Sequence, residues 1–92
     1  MLPERNGLLQ FAQKFVEDYE QLSKPIRIKA VRKLARFGDL GTAYASLSIK
    51  KMVGMADIWE GRIDRHYRFT FEWGKGYIFL RRIGTHSIYE NP

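Results

Sequence analysis

The chain has 92 residues, 14% of them aromatic, no cysteine, and a formal net charge of +6. That length suits one compact domain with a small core, and the missing thiols exclude disulfides, thiolate catalysis and cysteine zinc sites. Eight Lys/Arg against five Asp/Glu in residues 1–40, and the same again in residues 41–92, spread the positive excess over the whole chain; this suggests a polyanionic partner, nucleic acid above all, against the plainer alternative of a soluble basic protein.

The opening "MLPERNGLLQ" lacks a basic start followed by a long apolar core. No signal peptide is expected, and a cytoplasmic location follows by default. In "GLLQFAQKFVEDYEQL", Leu8, Ala12, Phe15, Tyr19 and Leu22 recur at helical spacing, which predicts a helix over most of residues 7–22. The alternation of Leu9 and Phe11 leaves a short strand open at its start. Ser23 is an N-cap candidate and Pro25 fits a first turn, so a second helix is expected from about Pro25 to Phe37. Val31, Leu34 and Ala35 should face inward, and Gly38 should stop the helix. This helix carries Arg27, Lys29, Arg32, Lys33 and Arg36 with no acid: a solvated face or a nucleic-acid contact.

Residues 38–56 read as a loop, anchored to the core by Leu47, Ile49 and Met52. Three strands are expected at Asp57–Ile63, Tyr67–Trp73 and Tyr77–Ile83, joined by hairpin loops of three residues, 64–66 and 74–76. Two helices followed by an antiparallel meander make an α+β fold in a single domain, 1–92. No apolar run reaches the ~18 residues of a membrane span, so no membrane partner is expected. No phosphate-loop or EF-hand pattern is present, and two histidines, His66 and His86, give little basis for a metal centre. No metal or cofactor is expected.

Counting by twos through loops of three residues gives each face of the meander. One carries Trp59, Ile63, Tyr67, Phe69, Phe71, Trp73, Tyr77, Phe79 and Ile83, with Arg81 as its charged exception; the helices should cover it. The other carries Ile58, Glu60, Arg62, Arg68, Thr70, Glu72, Ile78, Leu80 and Arg82. There Arg62, Arg68 and Arg82 fall side by side across three strands. Like charges directly opposite one another destabilise a sheet, and a bound phosphodiester would relieve the conflict, because guanidinium forks match phosphate geometry. The alternative is a solvated face on which Glu60 and Glu72 pair diagonally with the arginines. His86 follows the third strand after Gly84 and Thr85. Imidazole suits proton transfer near neutral pH, although a lone histidine at a strand end also serves as an ordinary turn residue.

The runs "DIWEGRIDRHYRFTFEW" and "YIFLRRIGTHSIYENP" resemble the C-terminal half of toxins of the RelE/ParE superfamily, and more narrowly the RelE-type ribosome-dependent mRNA endonucleases. "KFVEDYEQLSKPIRIKAVRKL" resembles that family's helical hairpin and "SLSIKKMVG" its link between helices and sheet. The resemblance covers residues 12–92 and implies two N-terminal helices packed on an antiparallel sheet, usually after an opening strand for which "NGLLQF" is a weak match. It implies cleavage without a metal, by attack of the mRNA 2'-hydroxyl on the adjacent phosphate. It implies roles for Arg62 as a basic strand residue, Arg68 as phosphate stabiliser, His86 as general acid or base, and Tyr89 as a stacking or orienting group. Lys50 and Lys51 fall where some relatives carry basic catalytic or RNA-contacting residues, and Arg82 would be an auxiliary contact. Glu60 would be a base or a partner of Arg62. The implied partners are a cognate antitoxin, the ribosome and mRNA. A gyrase inhibitor without enzymatic activity, as in the ParE branch, and an inactive member that binds RNA or antitoxin remain open on the same fold.

Overall fold

A computed structural model of the protein describes residues 8–40 and 47–92. Strand β1 (Leu9–Phe11) leads into helix α1 (Gln13–Gln21) and helix α2 (Lys24–Leu40). Four strands follow: β2 (Lys50–Lys51), β3 (Trp59–Arg62), β4 (Arg68–Trp73) and β5 (Ile78–Gly84). A 3₁₀ turn spans His86–Glu90. The sheet order is β1-β5-β4-β3-β2. The meander is antiparallel as expected, but β1 joins β5 in parallel, with Leu9 opposite Ile78 and Phe11 opposite Leu80. The sheet is therefore mixed. The alternation of Leu9 and Phe11 won over the helical reading because both side chains reach the core from one sheet face.

The helices supply Phe15, Tyr19, Ala30, Leu34 and Phe37 to the core, and Leu22 joins them from the turn between. On α2 the buried stripe is Ala30–Leu34–Phe37, one position away from the expected Val31–Leu34–Ala35, which leaves Val31 half-buried. The Ser23 carbonyl accepts the first bond of α2, from the Arg27 N–H at 2.9 Å. Gly38 does not stop this helix, which continues to Leu40. A glycine costs a helix interior only about 1 kcal/mol, and Gly38 is buried here. Leu47 is fully buried and Ile49 packs on the core, as anchors should. The expected loop 38–56 nevertheless contains β2, paired with β3 at Lys50–Glu60 and Lys51–Trp59.

The two hairpins differ. Between β3 and β4 the turn is Asp64–His66, Ile63 bonds Tyr67 (N to O, 2.9 Å), and Arg62 stands opposite Arg68. Between β4 and β5 the first ladder pair is Trp73–Ile78, so the turn has four residues, Gly74–Tyr77. Gly76 takes φ +75° within it, the region glycine occupies without cost. The shift puts Ile78 and Leu80 on the core face in place of Tyr77 and Phe79. A bulge at Arg81 then restores the original parity, so Phe71 faces Leu80 while Thr70 faces Arg82 and Phe69 faces Ile83. Arg68 lies opposite Gly84, not Arg82. The expected row of three arginines is a pair.

Arg82 has other work. β1 has ended by this point, and Asp18 of α1 takes its place at the β5 edge. It accepts from the Ile83 N–H at 3.2 Å and from Arg82 Nε and Nη2 at 2.6 and 3.1 Å. Arg82 Nη1 also donates to the Asn91 carbonyl. On the far face, the hydroxyl of the buried Thr70 donates to the Pro92 main-chain oxygen at 3.0 Å, so residues 86–92 cover the strands opposite the helices. Urea denaturation of Asp18→Ala should show a loss on the order of 2 kcal/mol. That is below the ~3–5 kcal/mol of a fully enclosed pair, because the Arg82 and Asp18 side chains keep 18% and 13% exposure. An unchanged midpoint would mean that Asp18 does not hold α1 to the sheet.

Candidate functional site

The meander, β2 and the 3₁₀ turn enclose one strongly polar cleft of about 240 Å³. β2 contributes Lys50, β3 contributes Glu60, Gly61 and Arg62, and β4 contributes Arg68. His86 and Tyr89 come from the turn after β5, and Ser48 precedes β2. Six residues singled out in the sequence thus share one cavity: Lys50, Glu60, Arg62, Arg68, His86 and Tyr89. Two do not. Arg82 is held by Asp18, and Lys51 lies opposite Trp59, where strand alternation sends it away from Lys50.

Arg62 and Arg68 face each other across the ladder, and among the described residues neither forms an ion pair. The diagonal carboxylates are engaged elsewhere: Glu72 with Arg81, and Glu60 with the Tyr89 hydroxyl at 2.8 Å. Arg68 Nη1 donates to the main-chain carbonyls of Asp64 and Tyr67, which fixes the head of a long, otherwise mobile side chain. The result is two unneutralised guanidiniums with Lys50 beside them, a setting that favours a bound anion.

Burial, then the hydrogen bond and charge of Glu60, push the Tyr89 phenol up to about 12, against the opposing pull of Arg68. Tyr89 therefore stays protonated and donates to Glu60 rather than acting as a base. Its ring centroid lies 5.3 Å from that of His86, tilted by 48°. The imidazole is exposed at the cleft. Among the described residues no group of three or more His, Asp or Glu side chains is placed to hold a metal ion.

Gly61 and Ser48 were not singled out from sequence. A Cβ at Gly61 would fall 2.4 Å from the Phe69 ring and 2.8 Å from Ile49 Cδ1. The glycine lets a core aromatic cross directly under the cleft floor. A glycine inside a strand is the sequence signal for such an approach. Ser48 adopts φ +50° where the chain enters β2, and nothing in the residue type announces that.

Searches with family models and against curated protein sequences give no match. Solved structures do match. A chain of a RelB–RelE antitoxin–toxin complex from Methanococcus jannaschii is 26% identical, with a TM-score of 0.72 over 89% of this chain and 98% of that one. A chain of the E. coli DinJ–YafQ toxin–antitoxin complex matches at TM-score 0.70 and 11% identity, over 86% and 91%. A chain of the intact E. coli RelBE toxin–antitoxin complex matches at 0.66 and 18%, over 85% and 94%.

The chain has the fold of the RelE/ParE toxin superfamily. The resemblance seen in the strand motifs holds at the level of the whole fold, including the opening strand, which Leu9–Phe11 supplies. In this fold the polar cleft lies on the sheet face opposite the α1–α2 packing.

Two measurements test the site. Tyrosinate absorbance, compared between the wild type and Tyr89→Phe, should assign Tyr89 a midpoint near 12, and Glu60→Gln should lower that midpoint. The sign for stability follows from the raised value. The Tyr89 contribution is complete below the ordinary phenol value of 10.0 and is lost as pH rises through about 12. Gly61→Ala should destabilise the fold by about 1–3 kcal/mol through overpacking against Phe69; a stability equal to wild type would show that the Phe69 ring moves aside freely.

Proposed function

We propose that the chain is the toxin of a toxin–antitoxin pair and acts as a ribosome-dependent endonuclease on mRNA. The observation that carries this reading is the meeting of Arg62, Arg68, Lys50, Glu60, His86 and Tyr89 in one cleft. The fold and the toxin–antitoxin complexes among its structural neighbours support it. The partner in the cell would be an antitoxin, whose acidic segment suits the +6 charge.

In the reaction, the 2'-hydroxyl oxygen of one nucleotide attacks the adjacent phosphorus and the P–O5' bond breaks. The products are a 2',3'-cyclic phosphate and a 5'-hydroxyl end, and no water is consumed. Arg62, Arg68 and Lys50 stabilise the charge that grows on the phosphoryl oxygens. Glu60 is the carboxylate of the cleft and accepts the 2'-hydroxyl proton. His86 supplies a proton to the departing O5'. Tyr89 holds Glu60 in place and offers its ring to a base.

Primer extension on mRNA after brief induction, with and without ribosomes, tests the activity. Cuts that need ribosomes are expected; intact mRNA together with inhibited gyrase would favour the non-enzymatic reading. Arg68→Ala should reduce cleavage by ~10²–10³ and weaken RNA association, because it removes a preorganised phosphate contact. His86→Gln should reduce cleavage by ~10²–10⁴ while leaving association nearly intact. Full cleavage by His86→Gln would make the histidine a turn residue only. Three phosphate-facing cations imply a log–log salt slope of about −2 for single-stranded RNA, and an association insensitive to salt would remove the electrostatic account.

A further inference from the structure

The β3–β4 turn contains a carboxylate committed to main-chain amides and one lysine. Asp64 Oδ1 accepts from the N–H groups of His66 and Tyr67, both at 2.9 Å. Oδ2 meets Lys29 Nζ of α2 at 3.3 Å. The two amide bonds shape the three-residue turn in the manner of an Asx turn. The main-chain carbonyl of the same residue then accepts from Arg68 Nη1, with the Tyr67 carbonyl as a second acceptor at 3.3 Å. The orientation of the Asp64 peptide thus decides where the Arg68 guanidinium points. Burial acts to raise the Asp64 carboxyl, but the two amides and the Lys29 ammonium outweigh it and hold the group below the ordinary carboxylate value. Asp64 is therefore a carboxylate at neutral pH, with both oxygens available as acceptors.

We propose that Asp64 is a positioning residue for Arg68: its side chain sets the turn whose carbonyl aims the guanidinium into the cleft. The proposal rests on the reading of the cleft given above. Arginine has rotamer freedom to lose when its fork is fixed, and a misplacement of about 1 Å at a reacting centre costs on the order of 10²-fold in rate. The ion pair to the exposed Lys29 contributes little by comparison, so the amide acceptors are the operative part of Asp64.

A double-mutant cycle on ribosome-dependent mRNA cleavage tests this. Asp64→Ala should lower the rate at saturating protein by about tenfold to 10²-fold, with the half-saturating concentration little changed. Asp64→Asn keeps an oxygen acceptor for both amides and should restore most of the rate. In an Arg68→Ala background, Asp64→Ala should cost nothing more, because residues acting as one unit are not additive. Equal losses in both backgrounds would overturn the proposal, since they would mark a general structural role. The Nε–Hε resonance of Arg68 gives a readout that needs no cleavage. It should be sharp and displaced from free arginine in the wild type and in Asp64→Asn, and should move toward free arginine in Asp64→Ala. If the wild type cuts no RNA, the cleft reading fails, and this resonance alone decides the role of Asp64: no movement in Asp64→Ala refutes it.

Discussion

Arg62 and Arg68 stand opposite each other on adjacent strands, a placement that sheets ordinarily avoid. The surrounding structure is arranged so that this repulsion is not relieved from within. Glu60 is turned to Tyr89, Glu72 to Arg81, and Asp18 to Arg82. Arg68 is held by uncharged carbonyls, which fix its direction without cancelling its charge. Lys50 adds a third cation from the neighbouring edge.

The tyrosine beside this pair shows how local fields divide the chemistry. Desolvation and Glu60 both disfavour the phenolate, and Arg68 favours it; the first two win. Tyr89 thereby stays a hydrogen-bond donor to Glu60, and in the proposed reaction Glu60 and His86 are the groups that move protons. This division comes from position alone, since a tyrosine and a histidine three residues apart in a chain carry no such roles by themselves.

The β3–β4 half of the cleft was legible in the sequence because its turn is set locally. Asp64 binds the amides two and three residues ahead, and the pairing of Arg62 with Arg68 follows from a loop of three residues. The β4–β5 half was not. "YIFL" is four apolar residues in a row, so period-two alternation carries no information about which pair faces the core. The four-residue turn and the Arg81 bulge each flip parity, and together they moved Arg82 out of the row. Leu9–Phe11 sat between two periods, and its assignment depended on β5 offering an edge, which is a tertiary fact. The cleft itself joins residues 48 to 89, and only the closure of the 3₁₀ turn over the sheet brings His86 and Tyr89 to the arginines.

The central claim is that this pair of arginines, with Lys50 and His86, is a phosphodiester site. An NMR titration with a dinucleoside monophosphate whose first sugar lacks the 2'-hydroxyl, so that it binds without being cut, addresses it most directly. The account predicts that the side-chain resonances of Arg62 and Arg68 and the ring signals of His86 and Tyr89 move together, saturably, and that added salt reverses the change. Movement confined to the basic face of α2, with the cleft residues unperturbed, would contradict it.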